Sequence, residues 1–168
     1  KLVQGAVFQS GQMRLSYLIV YATIATLIMW VVWNKTTFGK NIYAVGGNPE
    51  AAKVSGVNVT RTLILVYVIA GVLYALGGFL EAARIGSATN NVGNLYELDA
   101  IAACVVGGVS FSGGIGKIKG VITGVLIFTL INYGLSYIGV SPYWQYIIKG
   151  LIIISAVAID TLKYRKRT

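Results

Sequence analysis

Long runs of apolar residues constrain this chain more than any other feature. Five stretches carry little or no charge, and each is about 16 to 21 residues long, close to the length of a transmembrane helix. They are residues 15–33, 62–80, 98–118, 120–138 and 147–162. Apolar residues make up 56% of the 168 and charged residues only 11%, against about 25% charged residues in typical globular chains. The sequence therefore predicts an all-α, polytopic membrane protein with about five transmembrane segments.

Glycine residues indicate where the third and fourth runs depart from simple spanning helices. The second half of the third run contains Gly107, Gly108, Gly113, Gly114 and Gly116. Irregular backbone at membrane depth survives only where protein or a cavity covers it, so we expect this segment to be broken and covered. The fourth run opens with Gly120 and Gly124, a spacing of small residues that permits close contact between helices.

Basic residues cluster in two segments, which predicts the orientation of the chain. The first segment is residues 34–61, where four basic residues face a single acid, Glu50, and the second is the tail, residues 163–168. Cytoplasmic loops carry an excess of lysine and arginine, so both segments should be cytoplasmic. Five spans then place residues 1–14, which we interpret as the end of a loop, outside. The net charge of +9 reflects this clustering and does not indicate nucleic-acid binding.

The last run has different signals at its two ends. Residues 141–146 carry no charge and three aromatic rings, which is typical of the outer membrane interface. Lys149 lies near enough to that end for its amine to snorkel. Asp160 lies at the inner end, within reach of Lys163 three residues later.

A short polar helix is predicted between the first two runs. Its residues follow the order typical of a short helix. An asparagine suits the N-cap, a proline and an acid suit the first turn, two alanines favour helix, and a glycine suits the C-terminal end. The residues concerned are Asn48, Pro49, Glu50, Ala51, Ala52, Lys53, Val54, Ser55 and Gly56. A helix of about two turns is not stable alone, so other parts of the protein must hold it. On periodicity alone, a capped surface helix in a loop is the simpler interpretation.

Several kinds of chemistry are disfavoured by what the sequence contains. There are no histidines and one cysteine, Cys104, so the commonest metal ligand and general base is missing and no internal disulfide can form. The stretch from Gly113 to Lys117 resembles a phosphate-binding loop only in part, because Phe111 replaces the first glycine and Ile118 comes after the lysine. We therefore expect no catalytic residue, no metal and no cofactor in this chain.

Three acids leave an alternative open. Glu81, Glu97 and Asp99 lie near the outer ends of runs, and a proton- or sodium-coupled secondary carrier or channel would use intramembrane carboxylates. Arg84 can pair with Glu81 at i, i+3, which favours a structural role. A further alternative is a membrane scaffold that has no transport activity.

Polar residues near and within the runs are candidates for a substrate pathway. Asn132 and Tyr133 lie inside the fourth run, where an interhelical hydrogen bond is the slightly favoured interpretation. Thr89, Asn90 and Asn91 lie in a predicted outer loop and would either meet a solute or cap the loop.

Several motifs together resemble the membrane subunits of bacterial ABC importers for sugars, the ribose, xylose and galactose group. The segment from Glu50 to Gly56 is similar to their EAA motif. The other matching segments are residues 38–42, 44–52, 84–89, 97–103, 106–114, 131–135 and 142–150, so the resemblance covers nearly the whole chain. Residues 131–135 and 142–150 are most similar to the galactose and methyl-galactoside branch. The general motif continues after the glycine with a segment ending in proline, which this chain lacks.

The resemblance implies a transport subunit of the bacterial inner membrane, not an enzyme. It implies alternating access for a monosaccharide, with a second copy of the permease, two ATPase subunits that bind ATP and magnesium, and a periplasmic sugar-binding protein as partners. Asn48, Pro49, Glu50, Ala51, Ala52 and Gly56 would form the coupling helix that docks on the ATPase. Permeases of this group have about ten spans, and this chain begins at Lys1 without an initiator methionine. We therefore expect it to be the C-terminal half of a longer protein.

Overall fold

The computed structural model describes residues 6–10, 13–87, 89–90 and 92–165. Two strands, β1 (Ala6–Ser10) and β2 (Met13–Ser16), precede seven helices. The helices are α1 (Tyr17–Lys35), α2 (Thr37–Gly47), α3 (Pro49–Val54), α4 (Val59–Ile85), α5 (Tyr96–Val106), α6 (Ile118–Tyr137) and α7 (Pro142–Arg165). Within the described ranges, four helices are long and apolar enough to cross a membrane: α1, α4, α6 and α7. The predicted helical membrane fold is confirmed.

The chain divides into two compact units. Unit 1 comprises residues 1–42 and 52–93, and unit 2 comprises residues 43–51 and 94–168. Unit 1 begins with β1 and β2, which pair antiparallel with Gln9 opposite Arg14. This hairpin occupies part of the range that we interpreted as the end of a loop.

Unit 1 contains two long apolar helices whose ends are set by local capping. The Ser16 hydroxyl accepts a hydrogen bond from Leu18 N at the start of α1. Asn58 accepts one from Arg61 N at the start of α4, and Gly86 ends that helix in the left-handed conformation at φ 77°, which glycine adopts at no steric cost. α1 has no buried residue, and α4 has one, Thr62.

The corner between α1 and α2 depends on one glycine. A Cβ atom on Gly39 would lie 2.6 Å from the carbonyl carbon of Trp33, so a side chain at this position would collide with the end of α1. The Thr36 hydroxyl accepts a hydrogen bond from Gly39 N at 3.2 Å, in the manner of an N-cap. The sequence pattern did not predict α2, because its residues are mixed in polarity and lie in a loop by composition.

Unit 2 is a bundle of α5, α6 and α7 around a small buried core. Ala102, Ala103 and Phe128 form this core, and Ile152 and Ile153 of α7 pack against it. The core is small because glycine replaces larger side chains where α5 and α6 approach.

The contact between α5 and α6 is a direct approach of two backbones. A Cβ atom on Gly124 would collide with the carbonyl oxygen of Ala103, and one on Gly120 with the carbonyl oxygen of Gly107. The spacing of small residues at the start of α6 therefore does what the sequence predicted.

The third apolar run is broken, as predicted. Its helix α5 has 11 residues and is therefore about 16 Å long, roughly half of the hydrocarbon thickness of a bilayer. The helix ends at Val106. Two residues later, Gly108 has the left-handed conformation, with φ 82°. Residues 107–117, which we call the glycine loop, then lead to α6 without helix.

Candidate functional site

The helix α3 has the ends that its sequence predicted. The side-chain oxygen of Asn48 accepts a hydrogen bond from Ala51 N at 3.0 Å, which satisfies a free donor of the first turn. At the other end, Val57 N donates to Ala52 O at 3.0 Å, and Gly56 has φ 84°. These are the features of a glycine C-cap. The helix is Pro49–Val54, slightly shorter than the predicted range.

Most of α3 is exposed. Asn48, Glu50, Ala51 and Lys53 are exposed, and the apolar Val54 is 90% exposed. Ala52 faces the other way, with 4% exposure. The six residues therefore present a mixed surface with a small residue, two charges and one isolated apolar side chain.

The α2–α3 junction, residues 43–51, makes close backbone contacts with the glycine loop. A Cβ atom on Gly46 would lie 2.7 Å from Gly114 N, and one on Gly114 would lie 2.7 Å from the Cα atom of Gly47. A Cβ atom on Gly113 would collide with Gly46 O. No real Cβ atom tolerates such distances, so only glycine fits at these positions.

The glycine loop also requires glycine for its own conformation. Gly113 and Gly114 have φ of 88° and 68°, in the left-handed region. The loop is closed by a hydrogen bond of 3.0 Å from Ser110 N to Ile115 O. The glycines at 113 and 114 therefore serve both the local turn and the contact with the junction.

A tyrosine adds a polar contact between the same two segments. The Tyr43 hydroxyl donates a hydrogen bond of 2.7 Å to Gly116 O. Val45, two residues later in α2, is 5% exposed. Sequence analysis did not single out Tyr43, and a partly polar tyrosine at the end of an unpredicted helix gives little signal.

The other side of the glycine loop is held by α7. The carboxylate oxygen Oδ2 of Asp160 accepts hydrogen bonds from the Ser110 hydroxyl at 2.7 Å and from Phe111 N at 3.1 Å. Ser110 is 8% exposed, and its Oγ also accepts from Ser112 N at 3.2 Å. Sequence analysis paired Asp160 with Lys163, whose side chain lies outside the described part of the structure. The observed partner is the loop.

Three segments far apart in sequence therefore meet at one end of unit 2. They are the α2–α3 junction, the glycine loop and the last turns of α7 around Asp160. Sequence analysis placed residues 34–61 and the tail on one side of the membrane from charge alone. That assignment to one side of the membrane stays a prediction.

A partly buried ion pair lies farther along the bundle. Lys149 Nζ of α7 lies 2.6 Å from Asp99 Oδ1 of α5, and the two side chains are 11% and 31% exposed. The ammonium also lies 5.9 Å from the ring centroids of Phe128 and Tyr146, within the range of a cation–π contact. We expected Lys149 to snorkel to the interface; instead it turns into the bundle, because a carboxylate and two rings solvate it there.

The depth of this pair can be read from helix geometry. Lys149 comes seven residues after Pro142 (149 − 142), the first residue of α7, which is about 10 Å along the helix axis. Phe128 comes nine residues before Tyr137 (137 − 128), the last residue of α6, which is about 13 Å. Asp99, which pairs with Lys149, therefore lies about two helical turns away from the α6–α7 turn.

The turn between α6 and α7 is closed by a side chain. The amide nitrogen of Gln145 donates a hydrogen bond of 2.9 Å to Val140 O. Gly139 has φ 76° in the same turn.

In unit 1, the expected ion pair of Arg84 and Glu81 is present, with 2.6 Å between Arg84 Nη2 and Glu81 Oε1.

The candidate pathway residues are distributed over both units. Asn132 and Tyr133 lie in α6 of unit 2, and Tyr133 is 78% exposed. Thr89 and Asn90 are exposed turn residues of unit 1, and Asn91 lies outside the described residues. The side-chain oxygen of Asn132 is buried and has no hydrogen-bond partner in the part of the chain that the structure describes. The interhelical hydrogen bond expected at Asn132 is therefore not made through this oxygen.

Comparison with known proteins gives one family. The family model described as "Branched-chain amino acid transport system / permease component" matches residues 3–157. No solved structure matches the chain.

Curated relatives agree with this match. The chain is 71% identical over 160 residues to the galactose/methyl galactoside import permease protein of Haemophilus influenzae, covering 95% of this chain and 48% of the relative. The permease of the same name from Escherichia coli is 71% identical over 157 residues, covering 94% of this chain and 47% of the relative. The ribose import permease protein of Bacillus subtilis is 48% identical over 140 residues, covering 83% and 44%.

The chain thus spans about half the length of the curated relatives it matches. The family match extends over the α2–α3 junction, the glycine loop and residues 142–157 of α7. Together with the four apolar helices of membrane length, these matches show that the chain is a multi-pass membrane protein that belongs to the family of transport-system permease components.

Proposed function

We propose that this chain is part of the transmembrane subunit of an ATP-driven importer for galactose or a methyl galactoside. The names of its relatives at 71% identity support the sugar. The single observation that carries the transport mechanism is the exposed helix α3, capped at both ends and continuous with the α2–α3 junction that packs on the glycine loop.

In this proposal α3 is the coupling helix. A separate ATPase subunit, which binds ATP and magnesium, docks on the surface formed by Glu50, Ala51 and Val54. Asn48, Pro49 and Gly56 fix the two ends of the helix, and Ala52 supports it from its buried side. ATP-driven closure of two ATPases then moves the junctions of two permease subunits and alternates access to the pathway.

The remaining partners come from the same proposal. A periplasmic sugar-binding protein delivers the monosaccharide to the outer face, and the C-terminus lies in the cytoplasm. An ion-coupled carrier is less well supported, because two of the three acids that suggested it, Glu81 and Asp99, form ion pairs with Arg84 and Lys149.

The test is charge reversal on α3 in the full-length permease, assembled with its ATPase. Glu50→Lys should lower ATP-dependent galactoside uptake at least about tenfold, because the cation both opposes the positive end of the helix dipole and faces the partner. Gly56→Trp should have a similar effect, because its φ of 84° is unfavourable for any other residue. Membrane insertion should persist in both variants.

Two controls make this result specific. Thr60→Lys adds the same cation at an exposed position in the first turn of α4 and should leave uptake within about twofold, as exposed substitutions usually do. Glu50→Cys in a full-length permease from which Cys104 and any other cysteine have been removed should react with a membrane-impermeant maleimide from the cytoplasmic side only. Normal uptake by Glu50→Lys, or labelling of residue 50 from the periplasm, would contradict the proposal.

A further inference from the structure

The glycine loop contacts the segment that leads into α3. The loop is not covalently adjacent to the α2–α3 junction, yet it touches that junction at Gly46, Gly47 and Tyr43. These contacts are backbone to backbone or end on a backbone carbonyl. They contain no flexible side chain that would absorb a displacement by changing rotamer, except the one tyrosine hydroxyl.

The opposite side of the loop is attached to α7 through the carboxylate of Asp160. Asp160 Oδ2 accepts from the Ser110 hydroxyl and from Phe111 N, at 2.7 and 3.1 Å. A carboxylate that accepts two hydrogen bonds forms a charge-assisted contact, which is shorter and stronger than a neutral one. Ser110 is buried, so water does not readily replace the bond.

We propose that Asp160 is a positioning residue for coupling: it fixes the glycine loop to α7, so that displacement of the α2–α3 junction moves α7. This inference rests on the proposed function, since it needs an ATPase to displace α3. It assigns a second attachment point for which no single motif in the sequence accounts.

The consequence extends beyond the loop because of what else α7 carries. Eleven residues before Asp160 (160 − 149), the same helix carries Lys149, paired with Asp99 at the start of α5. That separation is about 16 Å along the helix. A shift of α7 therefore changes the ion pair deep in the bundle, and the two attachments at Asp160 and Lys149 make α7 the element that transmits the movement.

The experiment uses the full-length permease with its ATPase and sugar-binding protein in proteoliposomes. The measured quantity is the number of ATP molecules hydrolysed per galactoside taken up. Asp160→Ala should raise this ratio about five- to tenfold, in the range of typical coupling energies between sites. Asp160→Asn should stay within about twofold of wild type, because its side-chain oxygen still has two lone pairs for the same two donors.

Two further variants test whether the change in the ratio depends on the hydrogen bonds to Asp160. Ser110→Ala removes the 2.7 Å bond to Asp160 and the 3.2 Å bond from Ser112 N, but it leaves the bond from Phe111 N to Asp160. It should therefore raise the ratio by less than Asp160→Ala does. The control is Thr161→Ala, because Thr161 is exposed and donates only locally, to Val157 O at 2.9 Å. It should leave the ratio unchanged.

The ratio separates positioning from folding. A purely structural defect would reduce membrane insertion, ATP hydrolysis and uptake together and leave the ratio of the inserted complex at the wild-type value. That value in Asp160→Ala would overturn the inference. If Asp160→Ala does not insert, Ser110→Ala decides: a raised ratio supports the inference, and an unchanged ratio overturns it.

The same set of variants separates the inference from the proposed function. If wild type shows no ATP-dependent uptake, or if Glu50→Lys is fully active, the proposed function fails and the inference fails with it. If Glu50→Lys loses uptake while Asp160→Ala keeps the wild-type ratio, only the inference fails.

Discussion

The two units solve the same packing problem in different ways. In unit 2, α5, α6 and α7 bury alanine and phenylalanine side chains against one another and bring glycine backbones into contact. In unit 1, α1 has no buried residue and the 27-residue α4 has one. Both units contain helices of membrane length, so length and hydropathy do not distinguish them.

The two units differ in whether the glycines of their long helices contact another helix. In α4, a Cβ atom on Gly71, Gly77 or Gly78 would have no atom within 4 Å, whereas one on Gly124 of α6 would collide with α5. In lipid, apolar area alone does not drive helices together, so close packing depends on such small residues. The helices of unit 1 therefore leave nearly all of their apolar surface available for lipid or for other protein, whereas those of unit 2 cover a small part of theirs by packing on one another.

The largest expected effect compares one substitution in the two units. Gly124→Ala should destabilise the protein by about 1–3 kcal/mol, since the new methyl group has no space and the backbones must separate. Gly77→Ala should be neutral or stabilising by up to about 1 kcal/mol, since alanine is the better helix former. Thermal unfolding in detergent, followed by circular dichroism, measures both.

Either result can break the comparison. A destabilising Gly77→Ala in the full-length permease would show that another part of that protein covers α4 at this position. Gly134→Ala serves as a control within α6, because its Cβ atom also has no neighbour within 4 Å. It should behave like Gly77→Ala.

The second prediction uses the ion pair of unit 2. Lys149→Met should destabilise by about 1–3 kcal/mol, because it leaves a carboxylate in the bundle without its cation. The side chain of Asp99 is 31% exposed, so the cost should fall below the values for fully buried pairs. Asp99→Asn combined with Lys149→Met should recover part of the loss, which a double-mutant cycle of unfolding free energies measures. If the losses of the two single variants simply add, the pair contributes nothing as a pair.

The sequence predicted the features of this protein that depend on local chemistry. The caps at Asn48 and Gly56 and the break after Val106 depend on residues within a few positions, and the structure has all three. The apolar runs predicted the long helices, although α7 begins at Pro142 rather than at residue 147. An aromatic interface segment and a helix start are alike in composition, so the pattern could not separate them.

The tertiary partners of charged residues were harder to predict. Asp160 was assigned to a neighbour three positions away, and Lys149 to the membrane interface. Their observed partners lie 50 residues away in each case (160 − 110 and 149 − 99). A charged side chain inside a membrane is energetically unfavourable unless it is paired. The sequence therefore indicates that Asp160 and Lys149 need partners, but it does not identify them.

The smallest expected effect comes from the ion pair of unit 1. This pair is a useful comparison because its charged atoms lie as close together as those of the ion pair in unit 2. Arg84 and Glu81 lie 2.6 Å apart, as Lys149 and Asp99 do, but the arginine side chain is 57% exposed. Water screens such a pair and the side chains lose entropy in forming it, so Arg84→Ala should change the unfolding free energy by about 0–1 kcal/mol. Raising the salt concentration should weaken this pair more than that of Lys149. A loss as large as that of Lys149→Met would mean that burial does not set the strength of ion pairs in this protein, and the contrast between the units would then rest on glycine packing alone.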